Sequence, residues 1–277
     1  MTVQEASAAA KKLLQEHDLY NINELNTLFY AATGKERIPS LTQQLTKAEI
    51  SAFFSLLSRR IDGEPLQYLL GSWPFLDFEV KVDGRALIPR SETELLAETA
   101  VKLLGLTEKK RAVDLCSGTG VLAFALKRAF PLCEVYGVEL SAAAYSLLCE
   151  NAQLLECGIA AINADAEAYV KQLAAESVDV FVSNPPYVTP QDYQENYCEL
   201  QHEPEMAFLG GEDGLYFYKS LIPACYPALK KGGYIAFEIG EEQAAAVSAL
   251  LVQSGYCDIS VLQDFSSLDR VVFAKKA

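Results

Sequence analysis

From residue 111 onward, short apolar runs alternate with helical patterns, and this alternation limits the possible folds more than any other feature. The strand-like runs are "RAVDL" (111–115), "EVYGVEL" (134–140), "AAINA" (160–164), "VDVFVS" (178–183), "GYIAFEI" (233–239), "CDISVL" (257–262) and "RVVFAK" (270–275). Most are separated by stretches such as "SAAAYSLLCENAQLL" and "EEQAAAVSALLVQSG", which read as helices. Strands apolar along their whole length are buried on both faces, so helices must cover both sides of a mostly parallel sheet. Only a short loop separates the last two strands, which predicts an antiparallel pair at one edge. The expected fold class is α/β, with a seven-stranded sheet.

Upstream the pattern changes. "EASAAAKKLLQEHDL", "NINELNTLFYAAT" and "TKAEISAFFSLLSRRI" carry apolar residues at three- and four-residue spacing, and Thr46 with Glu49 is spaced as a capping box. "TGKERIPS" and "IDGEPL" supply the breaks. Residues 1–72 are therefore expected to form a small helical domain holding no catalytic cluster. Residues 73–88 alternate around Asp83-Gly84, which predicts a β-hairpin linker turning at that dipeptide. Residues 89–277 form the α/β domain, opened by a helix in "PRSETELLAETAVKLLG" with Ser91 and Glu94 spaced as a second capping box.

Composition narrows the function. No apolar run approaches the roughly 20 residues that span a bilayer. The first residues are amphipathic and charged where a signal peptide would be apolar, so a cytoplasmic protein is expected. The seven cysteines include no C-x-x-C pair, and only His17 and His202 could join them on a metal. Reduced core cysteines and no metal are expected. So few histidines also argue against His-dependent nucleophilic catalysis. The formal net charge is -14. Nearly all of it lies beyond residue 72, and such a surface repels phosphate backbones.

The first strand of the α/β region runs into "DLCSGTGVLAFAL", placing Gly118 and Gly120 in a strand-to-helix turn, where ligands bind at the carboxyl ends of parallel strands. "YGVELS" ends the second strand with Glu139, a carboxylate able to accept both hydroxyls of a ribose. Gly118, Gly120 and Ala123 formally match a dinucleotide fingerprint with its later acidic residue. However, Asp114-Leu-Cys-Ser intervenes before the glycines, and Asp114 would repel a pyrophosphate while attracting a cation. The segment therefore fits S-adenosylmethionine, a dinucleotide, or a purely structural turn. Asp165 could accept from an adenine amine or simply cap the helix of "AEAYVKQL".

"SNPPYV" follows the fourth strand at the same sheet edge. Pro185 and Pro186 have fixed φ and no N–H, so the Asn184 side-chain oxygen and the Pro185 carbonyl are offered in a set geometry. Two such acceptors match the two hydrogens of an –NH₂ group, and Tyr187 adds a flat face for a planar amide or base. A structural turn is the alternative.

In that order and spacing, "DLCSGTG", "GVELS" and "SNPPYV" resemble a class I S-adenosylmethionine-dependent methyltransferase acting on a planar nitrogen. With "GEPLQYLLGSWPF", "LIPRSETELL", "EPEMAFLGGEDGL", "FEIGEEQ" and "DRVVFAK", the chain resembles the release-factor glutamine N5-methyltransferases, the PrmC/HemK family. The resemblance implies a Rossmann-like methyltransferase sheet and, as substrate, the glutamine of the Gly-Gly-Gln motif of peptide chain release factors. It implies that Asn184 and Tyr187 are catalytic and that Pro185 and Pro186 complete the amide site. Cofactor contacts would come from Asp114, Cys116, Ser117, Gly118, Thr119 and Gly120, then from Glu139, Leu140, Asp165, Ala166 and Asn184. The helical domain would recognise the release factor. Departures are Cys116 and Ser117, where the family usually has Gly and Thr, and Ala166, where some relatives carry Trp. The alternatives are methylation of an exocyclic amine of adenine or guanine in nucleic acid, a non-catalytic binding protein, and an NAD-dependent oxidoreductase. The long acidic segment 189–214 is expected to order on substrate binding.

Overall fold

A computed structural model describes residues 1–34, 40–105 and 110–277, which divide into two compact units, Met1–Ser72 and Trp73–Ala277. Most of the break expected at "TGKERIPS" lies outside the described residues.

In the first unit, α1 (Val3–Glu16) opens with a capping box in which Thr2 and Glu5 exchange side-chain bonds. Asn21 caps α2 (Ile22–Thr33), and Thr46 with Glu49 forms the box that starts α3 (Lys47–Ile61). The short helix α4 (Leu66–Leu70) follows Pro65 and ends at Gly71. One turn is too short to show a helical period, so the sequence marked only a break nearby. Leu14, Leu28, Phe53 and Leu57 form the centre of this unit, and the Phe29 and Phe53 rings meet edge to face.

The hairpin that begins at the unit boundary turns earlier than expected. Strands β1 (Ser72–Phe75) and β2 (Phe78–Lys81) are joined by Leu76 and Asp77, so Asp83-Gly84 lies beyond the hairpin. Asp83 instead accepts from the Arg85 N–H in a local side-chain turn. Leu76 has a φ of 50° and its N–H donates to Glu94 at 2.8 Å, a contact no turn signature announces. The Ser91–Glu94 capping box accordingly does not form at the start of α5 (Ser91–Gly105). Glu94 serves the hairpin, and the Ser91 hydroxyl donates to Glu92.

The sheet comprises β3 (Arg111–Leu115), β4 (Glu134–Glu139), β5 (Ala160–Asn163), β6 (Val178–Ser183), β7 (Leu229–Glu238), β8 (Tyr256–Gln263) and β9 (Asp269–Lys276). Its order is β5-β4-β3-β6-β7-β9-β8, parallel except where β9 pairs with β7 and β8. The last two strands are antiparallel as expected, but β9 inserts between β7 and β8. Between the strands lie α6 (Val121–Ala129), α7 (Ala142–Leu154), α8 (Ala166–Val170), α9 (Pro190–Glu195), α10 (Tyr197–Leu200), α11 (Tyr216–Ala228) and α12 (Ala244–Gln253). Helices α8, α11 and α12 share a core with Val113, Leu115, Phe181, Ile235 and Phe237. Helix α5 runs along β6, β7 and β9, α6 along β3 and β4, and α7 along β4 and β5. Every residue of β6 is buried, which suits its largely apolar run. No helix among the described residues is long and apolar enough to cross a membrane.

Register places the site. Leu115 lies beside Val138 on one side and Ser183 on the other, and Ser183 lies beside Phe237. The segments leaving β3, β4, β6 and β7 therefore emerge at one edge. The chain reverses direction across the sheet between β3 and β6, the place where open α/β sheets form a crevice.

Candidate active site

A cleft open to solvent occupies that edge. Its wall receives Cys116, Ser117, Gly118 and Thr119 from the turn after β3, then Glu139 and Leu140 from the end of β4. Asp165 and Ala166 reach it from the start of α8, and Asn184 and Pro186 from the bend after β6. Asp114, Gly120, Pro185 and Tyr187 are not part of this wall.

The glycine turn is built by backbone geometry. Gly120 has a φ of 94°, and a Cβ there would lie 2.6 Å from the Phe124 ring. Cys116 has a φ of 60°, the left-handed region that glycine enters freely and other residues enter at a cost of roughly 1 kcal/mol. Burial pushes its thiol well above the usual range, so it is a neutral wall residue.

Asp114 corrects an expectation. Its carboxylate is fully buried, accepting from the Ser117 hydroxyl at 2.5 Å and the Ala123 N–H at 3.3 Å, while Oδ1 has no partner. It braces the turn from below instead of facing a cationic ligand. Burial pushes its carboxyl up from 3.8 to about 7, against the opposing Ser117 and Ala123 hydrogen bonds. Because the folded-state pKa is the higher one, this group's contribution to stability is full below pH 3.8 and is lost as pH rises through about 7. The loss is on the order of 4 kcal/mol. Asp114→Asn keeps the accepting oxygen and cannot ionise. We expect the fall in urea midpoint between pH 5 and pH 8 to be clearly smaller in this variant than in the wild type. Equal slopes would remove Asp114 as a source of that fall.

Glu139 is nearly buried. One of its oxygens accepts from the Gly118 N–H at 2.9 Å and the other from the Ser141 N–H at 2.8 Å. Each retains a lone pair, so the carboxylate is held rigidly yet can still accept from a diol. Burial raises its pKa, and these backbone donors oppose the rise. Asp165 is a helix cap that also reaches the cleft. Its Oδ1 caps α8 by accepting from the Ala168 N–H at 2.8 Å, and the residue also lines the cleft. The arginines of the wall are already paired. Arg85 is held by Asp83 and Glu150, and Arg90 by Glu203. Neither offers a free cation for a pyrophosphate, and the carboxylates suit a ligand that carries positive charge.

The bend after β6 is fastened from several directions. The Ser183 hydroxyl donates to the Leu115 carbonyl at 2.5 Å. Asn184 Nδ2 donates to Thr93 Oγ1 at 3.1 Å, and the Thr93 hydroxyl donates to Glu238 Oε2 at 2.7 Å. Among the described residues, nothing donates to Asn184 Oδ1 or to the Pro185 carbonyl. The Tyr187 hydroxyl is anchored to Glu238 Oε1 at 3.3 Å, which keeps its ring at the base of the bend. Burial raises the Tyr187 pKa, and burial pushes Glu238 up to about 7. Gln243 Nε2 bridges the carbonyls of Tyr187 and Gly214.

Segment 189–214 forms local structure of its own. It carries α9, α10 and a 3-10 turn at Glu205–Ala207, and Val188 bridges to Leu209. Buried Glu203 accepts from the Ile88 N–H at 2.8 Å and pairs with Arg90. Sequence reasoning missed Thr93, Glu203, Glu238 and Gln243. The only signal was that each lies in a stretch carrying the family resemblance, with no local pattern marking its role.

Known proteins sharpen these observations. The family model described as "Methyltransferase small domain" matches residues 91–201, and that described as "PrmC N-terminal domain" matches residues 5–71. The chain is 33% identical over 253 residues to a release factor glutamine methyltransferase of Geobacter sulfurreducens, covering 90% of this chain and 87% of that one. A namesake from Fusobacterium nucleatum is 32% identical, covering 94% of this chain and 71% of its own length. One from Clostridium acetobutylicum is 29% identical over nearly the full length of both chains, 99% and 98%. Among solved structures, the hMettl16 catalytic domain in complex with the MAT2A 3'UTR hairpin 6 has a TM-score of 0.59 at 13% identity, covering 93% of each chain. A methyltransferase from Pyrococcus furiosus has a TM-score of 0.53 at 15% identity, covering 72% of this chain and 88% of that one. These two likenesses show the fold.

Proposed function

The chain belongs to the release factor glutamine methyltransferase family, and on that premise we propose that it methylates the N5 amide nitrogen of the Gly-Gly-Gln glutamine of peptide chain release factors. The observation that carries this reading is the unpaired Asn184 Oδ1 in the same cleft as the Glu139 carboxylate. S-adenosylmethionine supplies an electrophilic methyl group on a sulfonium when bound. The cleft fits it, with two lone pairs of Glu139 left for a ribose, a second carboxylate in Asp165, and arginines already neutralised.

The chain's own residues then act on the acceptor. An amide nitrogen is a poor nucleophile because its lone pair is delocalised into the carbonyl. Asn184 Oδ1 and the Pro185 carbonyl would each accept one hydrogen of the glutamine –NH₂, turning the lone pair towards the methyl group. They would also stabilise the positive charge that develops on nitrogen. As the new C–N bond forms and the C–S bond breaks, the nitrogen becomes acidic and loses a proton to water. No strong base is needed, which suits a cleft without histidine. Tyr187 would support the bend from beneath and not as an open stacking face. We assign the helical unit Met1–Ser72 to recognition of the release factor.

Mass spectrometry of release factors incubated with the enzyme and isotopically labelled methyl donor tests the reading. One labelled methyl is expected on the glutamine, with intact factor methylated far faster than a short Gly-Gly-Gln peptide. Label on adenine or guanine amines of RNA or DNA, and none on the factor, overturns the substrate. Equal rates on peptide and factor overturn the recognition role.

A further inference from the structure

Resting on that reading of Asn184, we infer that Thr93 and Glu238 are positioning residues that set which end of the Asn184 amide faces the substrate. The argument is one of proton counting along a buried chain. Thr93 is 3% exposed and Glu238 is 1% exposed, so neither has water as an alternative partner. A threonine hydroxyl carries one hydrogen. In this structure that hydrogen goes to Glu238 Oε2 at 2.7 Å, the one direction open once the carboxyl is ionised, above about pH 7. The Thr93 oxygen therefore has only lone pairs left for Asn184. It must meet the –NH₂ end of that amide, and it does so at 3.1 Å. The amide oxygen is thereby turned away, into the cleft that Asn184 lines.

The opposite orientation would set two lone-pair-bearing oxygens against each other and present N–H groups to the substrate's own –NH₂. That arrangement cannot grip the acceptor. The Tyr187 hydroxyl occupies the other oxygen of Glu238 at 3.3 Å, so the same carboxylate ties both ends of the Asn-Pro-Pro-Tyr bend. Thr93 comes from the first turn of α5 and Glu238 from the last residue of β7, and neither has a place in the methyl transfer itself.

Steady-state kinetics on three variants test the assignment, with S-adenosylmethionine affinity measured by calorimetry. Thr93→Val keeps the side chain's shape and removes the hydroxyl, and kcat/KM should fall about 10- to 100-fold. Cofactor Kd should stay within about 3-fold, since the cofactor-facing residues are untouched. Thr93→Ser is smaller but keeps the hydroxyl, and should return kcat/KM to within about 3-fold of wild type. A packing role would give the reverse pattern, with valine tolerated and serine not. Glu238→Gln can donate or accept, so the chain can run either way, and an intermediate loss is expected. Wild-type kcat/KM in Thr93→Val, with Asn184→Ala inactive, overturns this inference alone. Full activity in Asn184→Ala overturns the underlying reading of the bend.

Discussion

Asn184→Ala enzyme is expected to bind S-adenosylmethionine with near wild-type affinity and to transfer its methyl group at least about 100-fold more slowly. The expectation follows from where the side chain stands. Asn184 lines the cleft, its Nδ2 is engaged by Thr93 and nothing among the described residues donates to its oxygen, so alanine removes one of the two acceptors proposed to hold the substrate amide. It leaves the Glu139 clamp on the Gly118 and Ser141 N–H groups intact. The remaining acceptor, the Pro185 carbonyl, can still bind the amide without orienting it. Rapid-quench single turnovers with labelled donor measure the chemical step, and equilibrium titration measures cofactor affinity. Single turnover at the wild-type rate would show that the bend is not the amide grip.

The second large effect is expected at a glycine packed against the back of the bend. A Cβ added at Gly210 would lie 2.6 Å from Tyr187 Cα, 2.7 Å from the Pro186 carbonyl oxygen and 2.9 Å from the Gly214 carbonyl oxygen. All three are backbone atoms, so no flexible side chain can swing aside. Gly210→Ala must push segment 189–214 off the bend or move the bend itself. Overpacking of this kind costs about 2–3 kcal/mol. The Val188–Gly210 hydrogen bonding and the Gln243 bridge to Tyr187 would be strained together. We expect a lower denaturation midpoint and a loss of turnover greater than the loss of cofactor affinity. A Gly210→Ala protein with wild-type stability and turnover would mean that the segment does not press on the bend. The close approach also accounts for Gly210 and Gly214 of "FLGGEDG", which the sequence presented only as part of a family resemblance.

Much of the architecture was legible because it depends on short-range pattern. The strand runs are apolar since both sheet faces are covered, and the Thr46–Glu49 box is a contact between near neighbours. The asparagine, the glycine turn and Glu139 were legible as chemistry because sheet connectivity sends consecutive strand ends to one edge. The misreadings have equally physical causes. Asp83-Gly84 has the composition of a hairpin turn, but Leu76 and Asp77 make the turn because Glu94 accepts the Leu76 N–H. Asp114 looked like a ligand carboxylate, yet the strand's pleat points it into the protein interior.

The sequence by itself determined most of the strands and the longer helices, the sheet class and the residues able to grip an amide, since periodicity and motif spacing are properties of neighbouring residues. Tertiary structure alone decided how that grip is aimed. Asn184 meets Thr93 across 91 positions, Thr93 meets Glu238 across 145, and Glu203 meets Ile88 across 115. Such pairings arise only when folding brings distant segments together and leaves their buried polar groups to pair with one another.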